Sequence, residues 1–281
     1  MKRRQQWPTG WGPAGAEVPQ PYYLVEPRHL AGGGDLRHIT EYLRASGWKD
    51  RAPRAGSPLC FESPDRTVRV GYAGHIIPPM WTVSGGPKND AAAGWHAIFG
   101  AAVPVEILAG FADALTRPPA PHAPDVWRPL TRRDWAVGKK DHHTASSPDG
   151  TAMLQFCQEE GQASWWACAN ATTATGTSTR VWSAAFSDNA PLHAVEGFAA
   201  ALADPRPLLR PPGQIPFAAA RQVTATPYMV LPSQLGSWQR DRLAAARTTR
   251  AKSGWAVNRA RTSGHTPPAY AAPGGTGGRS R

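Results

Sequence analysis

The chain has no run approaching the roughly 18 apolar residues of a membrane-spanning helix, so no membrane segment is expected. Its basic start, Met1-Lys2-Arg3-Arg4-Gln5-Gln6-Trp7, has no apolar stretch behind it, which speaks against a secretory signal. Cysteine is scarce: Cys60, Cys157 and Cys168 are odd in number and form no Cys-x-x-Cys pair. They read as buried thiols of a reducing, cytoplasmic compartment, and neither a disulfide framework nor a zinc site is expected. The run Gly32-Gly33-Gly34 lacks the Lys-Ser/Thr that completes a phosphate-binding loop and is followed by Asp35 instead. It reads as a flexible approach to a helix.

Acidic residues almost vanish after position 205. From Arg206 onward 12 Lys/Arg face one acid, Asp241, so the whole net charge of +11 sits on the last 76 residues. Residues 1–205 are balanced, with 19 basic and 19 acidic side chains. A neutral body with a basic extension tends to find polyanions, and the same extension can be merely solubilising. A hydrophobic content of 41% with 12 Trp fits a folded chain, while 28 Gly and 29 Pro call for long irregular connections.

An internal repeat organises what is there. Ser63-Pro64-Asp65 returns as Ser147-Pro148-Asp149, and each is followed 18 residues after its serine by a tryptophan, Trp81 and Trp165. Proline presets φ for a turn, and Ser and Asp bond nearby backbone, so the motif reads as a hairpin turn. Val68, Val70 and Tyr72 leave the first turn on alternate positions, as do Ala152, Leu154 and Phe156 from the second, the period of a half-buried strand. The segment Trp95–Pro118 aligns without a gap on Trp182–Pro205 and ends in a helix with apolar stripes Leu108, Phe111, Leu115 and Val195, Phe198, Leu202. Only the first copy has room for a full helix before its leading tryptophan, at Leu36, Ile39 and Leu43 between Asp35 and Gly47.

The expected fold is α+β: two tandem small modules, each an antiparallel β-meander packed with a C-terminal helix, followed by a basic helix. The expected divisions are a disordered leader 1–21, module one 22–117, a proline-rich linker 118–124, module two 125–205, a linker 206–232, a basic helix 233–252 and a disordered tail 253–281.

The two Ser-Pro-Asp turns, their downstream tryptophans, the two Trp-x-Ala-x-Phe…Pro…Phe-Ala-x-Ala-Leu stretches and the Glu26-to-Asp35 segment ahead of Gly47-Trp48 resemble tandem SPDY domains over roughly residues 23–205. The resemblance implies an intracellular, often duplicated α+β module of actinobacteria, of unknown function and with no catalytic residue to carry over. The fourth motif position departs from it, with Arg66 and Gly150 where the family name has tyrosine.

Chemistry is sparse by this reading. A Ser-His-Asp site held in both copies needs a shared histidine, and none is shared: His75 aligns with Glu159 and His96 with Ser183. Asp141-His142-His143 and Glu159-Glu160 lack counterparts and read as surface loops, so no metal, cofactor or catalytic residue is assigned. The paired tryptophans Trp48/Trp135, Trp81/Trp165 and Trp95/Trp182 read as core, and Trp166, next to Trp165 on a strand, as an outward-facing aromatic. Arg240, Arg242, Arg247, Arg250 and Lys252 are the candidate nucleic-acid contacts on the basic helix, unless Leu235, Trp238 and Leu243 dock it on the modules. The expected function is a non-enzymatic intracellular binding protein, associated with nucleic acid through that helix and with an unidentified protein partner. The alternatives are an interaction scaffold that binds no nucleic acid, and an enzyme of unknown type.

Overall fold

The structure, a computed structural model, describes residues 17–52, 58–74, 76–86, 94–117, 122–138, 143–159, 162–173 and 175–263. Strand β1 (Gln20–Glu26) leads through a 3-10 turn at Arg28–Leu30 to helix α1 (Arg37–Ala45), which buries Ile39 and Leu43 and ends at Gly47 with φ +91. That left-handed stop is open to glycine without a Cβ penalty. The first repeat then runs β2 (Lys49–Asp50), β3 (Leu59–Glu62), β4 (Val68–Ala73), β5 (Met80–Gly85), β6 (Trp95–Gly100) and α2 (Val105–Thr116). The second follows as α3 (Arg128–Thr131), β7 (Ala136–Val137), β8 (Thr144–Ser146), β9 (Ala152–Glu159), β10 (Gln162–Thr172), β11 (Ser178–Ser187) and α4 (Leu192–Leu202). The chain closes with β12 (Leu208–Arg210), a 3-10 turn at Phe217–Ala219, β13 (Thr224–Val230) and α5 (Pro232–Ser263).

The fold is α+β, and each repeat is an antiparallel meander ending in a helix. The two meanders join edge to edge: β6 pairs antiparallel with β11, Ile98 opposite Ala185, to give one sheet ordered β2-β3-β4-β5-β6-β11-β10-β9-β8-β7. Alternation decides its two faces. Val70, Trp81, Val83, Ala97 and Phe99 are buried on one side, whereas Thr82, Ser84, His96 and Ile98 are exposed on the other. Helices α2 and α4 pack against each other over a single core, around which Phe99, Phe111, Phe186 and Phe198 stack pairwise at 5.1 to 5.8 Å. All six repeated tryptophans are buried.

Several boundaries need correction. The stretch 206–232 is not a linker, because β12 and β13 flank β1 in a second, three-stranded sheet, with Tyr23 opposite both Arg210 and Pro227. The leader ends earlier than expected, since β1 begins at Gln20 and Glu17 accepts hydrogen bonds from the Ser233 amide and hydroxyl; residues 1–16 lie outside the described residues. The basic helix runs on through Ser263 rather than stopping at 252, and 264–281 lie outside the described residues. The second copy keeps one helical turn, α3, where none was expected. The linker expected at 118–124 is described only from His122 on, and it precedes no separate sheet.

The glycine run is not a flexible approach. A Cβ on Gly33 would lie 2.5 Å from the Ala101 carbonyl oxygen, and the Gly33 carbonyl accepts the Val105 amide at the start of α2. Close backbone approach, rather than freedom, explains the glycine there.

Candidate functional site

Both Ser-Pro-Asp turns are built alike. The serine amides of Ser63 and Ser147 bond the Val68 and Ala152 carbonyls at 2.9 Å, closing each hairpin. Each serine hydroxyl accepts the amide of the residue leaving the turn, Val68 at 3.0 Å and Ala152 at 2.9 Å, and donates to its own aspartate, Asp65 or Asp149. The fourth motif residue is left-handed in both, Arg66 at φ 63 and Gly150 at φ 70.

The second turn faces a cleft of about 520 Å³ that the first does not share. Its opposite wall is the Glu26–His29 segment, brought there because the 3-10 turn at Arg28–Leu30 lies against β10 of the second repeat. Trp182 fixes that wall by donating its indole N–H to the His29 carbonyl at 2.6 Å. The His29 ring is buried, with Nε2 2.6 Å from Thr151 Oγ1 and 3.4 Å from Asp149 Oδ2. Thr151 in turn donates to Asp149 Oδ2 at 2.8 Å, so Nε2 is the donor to the threonine oxygen. Burial pushes the Asp149 carboxyl up, but hydrogen bonds from His29 and Ser147 prevail and hold it well below the usual carboxylate range.

Arg28 sits beside it, 8% exposed, donating to the Ala201 and Arg206 carbonyls and pairing with Asp204 at 3.1 Å. Desolvation is the larger influence on that guanidinium and lowers its pKa despite Asp204. Pro27, Trp135, Leu202 and Ala203 supply apolar lining. Around the opening, Glu26, Arg132, Arg133 and Asp134 are exposed and pair with no described residue.

This arrangement is not a nucleophilic triad. Ser147 is buried and bonded to Asp149 rather than to histidine, and the histidine, threonine and aspartate satisfy one another. A triad needs the nucleophile on the base and the acid on the base's other nitrogen. His29 lies outside the repeat, so no correspondence between the two copies points to it. The Glu26-Pro27-Arg28-His29 segment was visible in the sequence, but nothing there tied it to the second turn.

Arg242 does not face outward: it forks onto Asp113 at 2.8 and 2.9 Å and lies 4.2 Å over the Tyr42 ring, docking α5 on α1 and α2. Burial holds the Asp113 carboxyl above its usual range although Arg242 pulls it down. Arg250 lies against the Gly47 stop. Arg240, Arg247 and Lys252 are exposed and pair with no described residue. Arg242 and the buried Ala246 mark the docked face of α5; of the three apolar candidates for docking, Leu235 and Leu243 are half-buried and Trp238 is 49% exposed. Trp166 does face away from Trp165 but is half-buried, covered by Arg180 at 4.3 Å. Cys168 is buried and Cys60 and Cys157 are half-buried, all three free of disulfides. Asp141, His142 and Glu160 lie outside the described residues. Among the described residues no group of three His, Cys, Asp or Glu could hold a metal ion, and no helix is long and apolar enough to cross a membrane.

No curated protein matches the chain, and no solved structure does. Both Ser-Pro-Asp turns, with the strands and helix that follow each, fall inside the segments that do match a family model, whereas the Glu26–His29 wall falls outside them. Residues 62–121 and 146–208 match the model of SPDY, a domain of unknown function (DUF317), two segments consistent with two tandem copies of that domain.

Proposed function

We propose that this protein is a non-enzymatic binding protein that takes a segment of a partner protein in the cleft beside its second Ser-Pro-Asp turn. The observation that carries this reading is the division of polar groups in the cleft. Those at its base, His29, Thr151, Asp149, Arg28 and Asp204, are matched among themselves. Those at its mouth, Glu26, Arg132, Arg133 and Asp134, carry both signs and are unmatched among the described residues. An apolar lining with a polar rim of both signs suits a peptide, which offers apolar side chains, charges and backbone together. Peptides selected from a random displayed library on the full chain should bind wild type and lose about tenfold or more with Arg132→Glu plus Arg133→Glu. Selected peptides indifferent to that pair, or no selectable peptide, would sink the reading.

A second reading, nucleic-acid association through α5, rests on the three of its five residues that are exposed and lie against no described element, with Arg250 exposed beside Gly47. Arg240, Arg247 and Lys252 stand exposed on a helix whose sequence holds a single acid, Asp241. Three phosphate contacts give a log–log salt slope of roughly −2 to −3. Filter binding across salt should show that slope for wild type and lose it when all three become glutamine. Retention that the triple substitution leaves unchanged would remove α5 from the account.

A further inference from the structure

The first Ser-Pro-Asp turn has no histidine over it, and its surroundings are strongly charged. Arg51 beyond β2, Arg66 in the turn and Arg69 on β4 line a pocket of about 410 Å³ together with Cys60 and Glu62 of β3. Phe61 between those two points into the core, so the pocket lies on the sheet face away from the helices. Glu62 forms its floor at 7% exposure. Arg51 donates Nε and Nη2 to its Oε2 at 3.0 and 2.8 Å, and Arg69 donates Nη2 to its Oε1 at 3.3 Å. Arg66 pairs with no described residue.

Each guanidinium has five N–H donors, so Glu62 engages a minority of them and leaves the rest directed at the pocket or solvent. Three cations against one carboxylate leave an excess of two positive charges. The carboxylate holds two of the guanidinium groups in place, which lowers the entropy that a ligand must overcome to organise them.

The second repeat provides an internal control. Arg51 donates its amide to the Cys60 carbonyl at 2.7 Å as Gly138 does to Thr144 at 2.9 Å. Lys49 faces Glu62 as Ala136 faces Ser146, Glu62 faces Arg69 as Ser146 faces Met153, and Arg66 takes the left-handed place of Gly150. The same hairpin is therefore built a second time in this molecule with Gly138, Thr144, Ser146, Gly150 and Met153, none of them charged. Folding of the turn does not require the arginines.

We propose that this pocket is a seat for a phosphate-type dianion, either free phosphate or the phosphomonoester end of a larger molecule. Arginine forks match tetrahedral oxyanions with paired hydrogen bonds, and two negative charges balance the excess. The seat is separate from the cleft at the second turn.

Calorimetric titration of the full chain in low-salt, phosphate-free buffer tests it, because an open site is screened at high ionic strength. Inorganic phosphate and phenyl phosphate should each bind saturably at one site, with dimethyl phosphate, a monoanion, at least about tenfold weaker. Binding of phenyl phosphate alone assigns the seat to an ester end, and binding of inorganic phosphate alone assigns it to the free ion; either supports the proposal. Arg66→Gly, which copies Gly150 and leaves both Glu62 pairs intact, should weaken binding by about tenfold. The fourfold variant Arg51→Gly, Glu62→Ser, Arg66→Gly, Arg69→Met rebuilds the second repeat's pocket and should bind none while keeping the wild-type circular dichroism. The proposal is overturned if wild type binds neither dianion saturably, if dimethyl phosphate binds as well as whichever dianion binds, or if the folded fourfold variant binds like wild type.

Discussion

Arg210 is the most deeply buried charge among the described residues, at 1% exposure. Its guanidinium forks onto Glu106 at 2.8 and 2.7 Å and also bonds the carbonyls of Ala31, Gly32 and Leu209. One side chain thus ties β12 to the glycine run and to the first turn of α2, where the helix dipole also favours Glu106. Burial pushes the Glu106 carboxyl up, but the hydrogen bonds and charge of Arg210 outweigh it and hold the pKa below its ordinary 4.5. A depressed carboxylate contributes stability that is present above the unfolded value and is lost as pH falls through the folded one. Glu106→Gln should therefore cost about 3–5 kcal/mol at pH 7, because it leaves the Arg210 charge buried and uncompensated. Urea midpoints should show the gap between variant and wild type narrowing as pH drops below about 4.5. A gap that stays constant from pH 7 to pH 3 would mean the pair contributes no linkage.

Element by element, the sequence was legible wherever a pattern is local. The helical stripes Leu108, Phe111, Leu115 and Val195, Phe198, Leu202 lie on α2 and α4, and the alternating run from Val68 lies on β4. These follow from the 3.6- and two-residue periods alone. No local pattern places β13 in a sheet, for the opposite reason. It is mostly exposed, contains Pro227 and pairs with β1 some two hundred residues earlier, Gln20 opposite Val230, so no local period marks it. An apolar stripe does not locate the docked face of α5. Trp238 is 49% exposed, and Arg242 is the side chain that seats the helix, through Asp113. Both candidate sites share one cause of illegibility: they arise where the copies differ. His29 reaches only the second turn, and the arginine pocket exists only at the first, so a search for shared residues passes over both. The cleft also needs the 3-10 turn after the chain's first strand laid against β10 of the second repeat, a contact that neither segment's sequence encodes by itself.

At the scale of the whole molecule, the repeat is a structural symmetry rather than two beads on a string. Phe99 and Phe111 correspond to Phe186 and Phe198, and each ring packs on rings of both copies. Gly110 of α2 and Gly197 of α4 correspond in the same way and meet each other. A Cβ on Gly110 would fall 2.3 Å from the Gly197 carbonyl oxygen, and one on Gly197 would fall 2.4 Å from that of Gly110. The crossing of the two helices is closed by backbone on both sides, so alanine at either place must push α2 and α4 apart. Overpacking of this kind costs about 1–3 kcal/mol, against at most about 1 kcal/mol gained from helix propensity. Because one core serves both copies, the loss falls on the entire fold. Gly110→Ala and Gly197→Ala should each lower a single calorimetric transition by several degrees, at roughly 2–4 °C per kcal/mol. Gly100→Ala, whose Cβ would sit an ordinary 3.5 Å from the Ser183 carbonyl oxygen, should leave the midpoint close to wild type. Two transitions, with one repeat melting alone in the Gly110 variant, would show that the halves unfold independently despite the continuous sheet between β6 and β11.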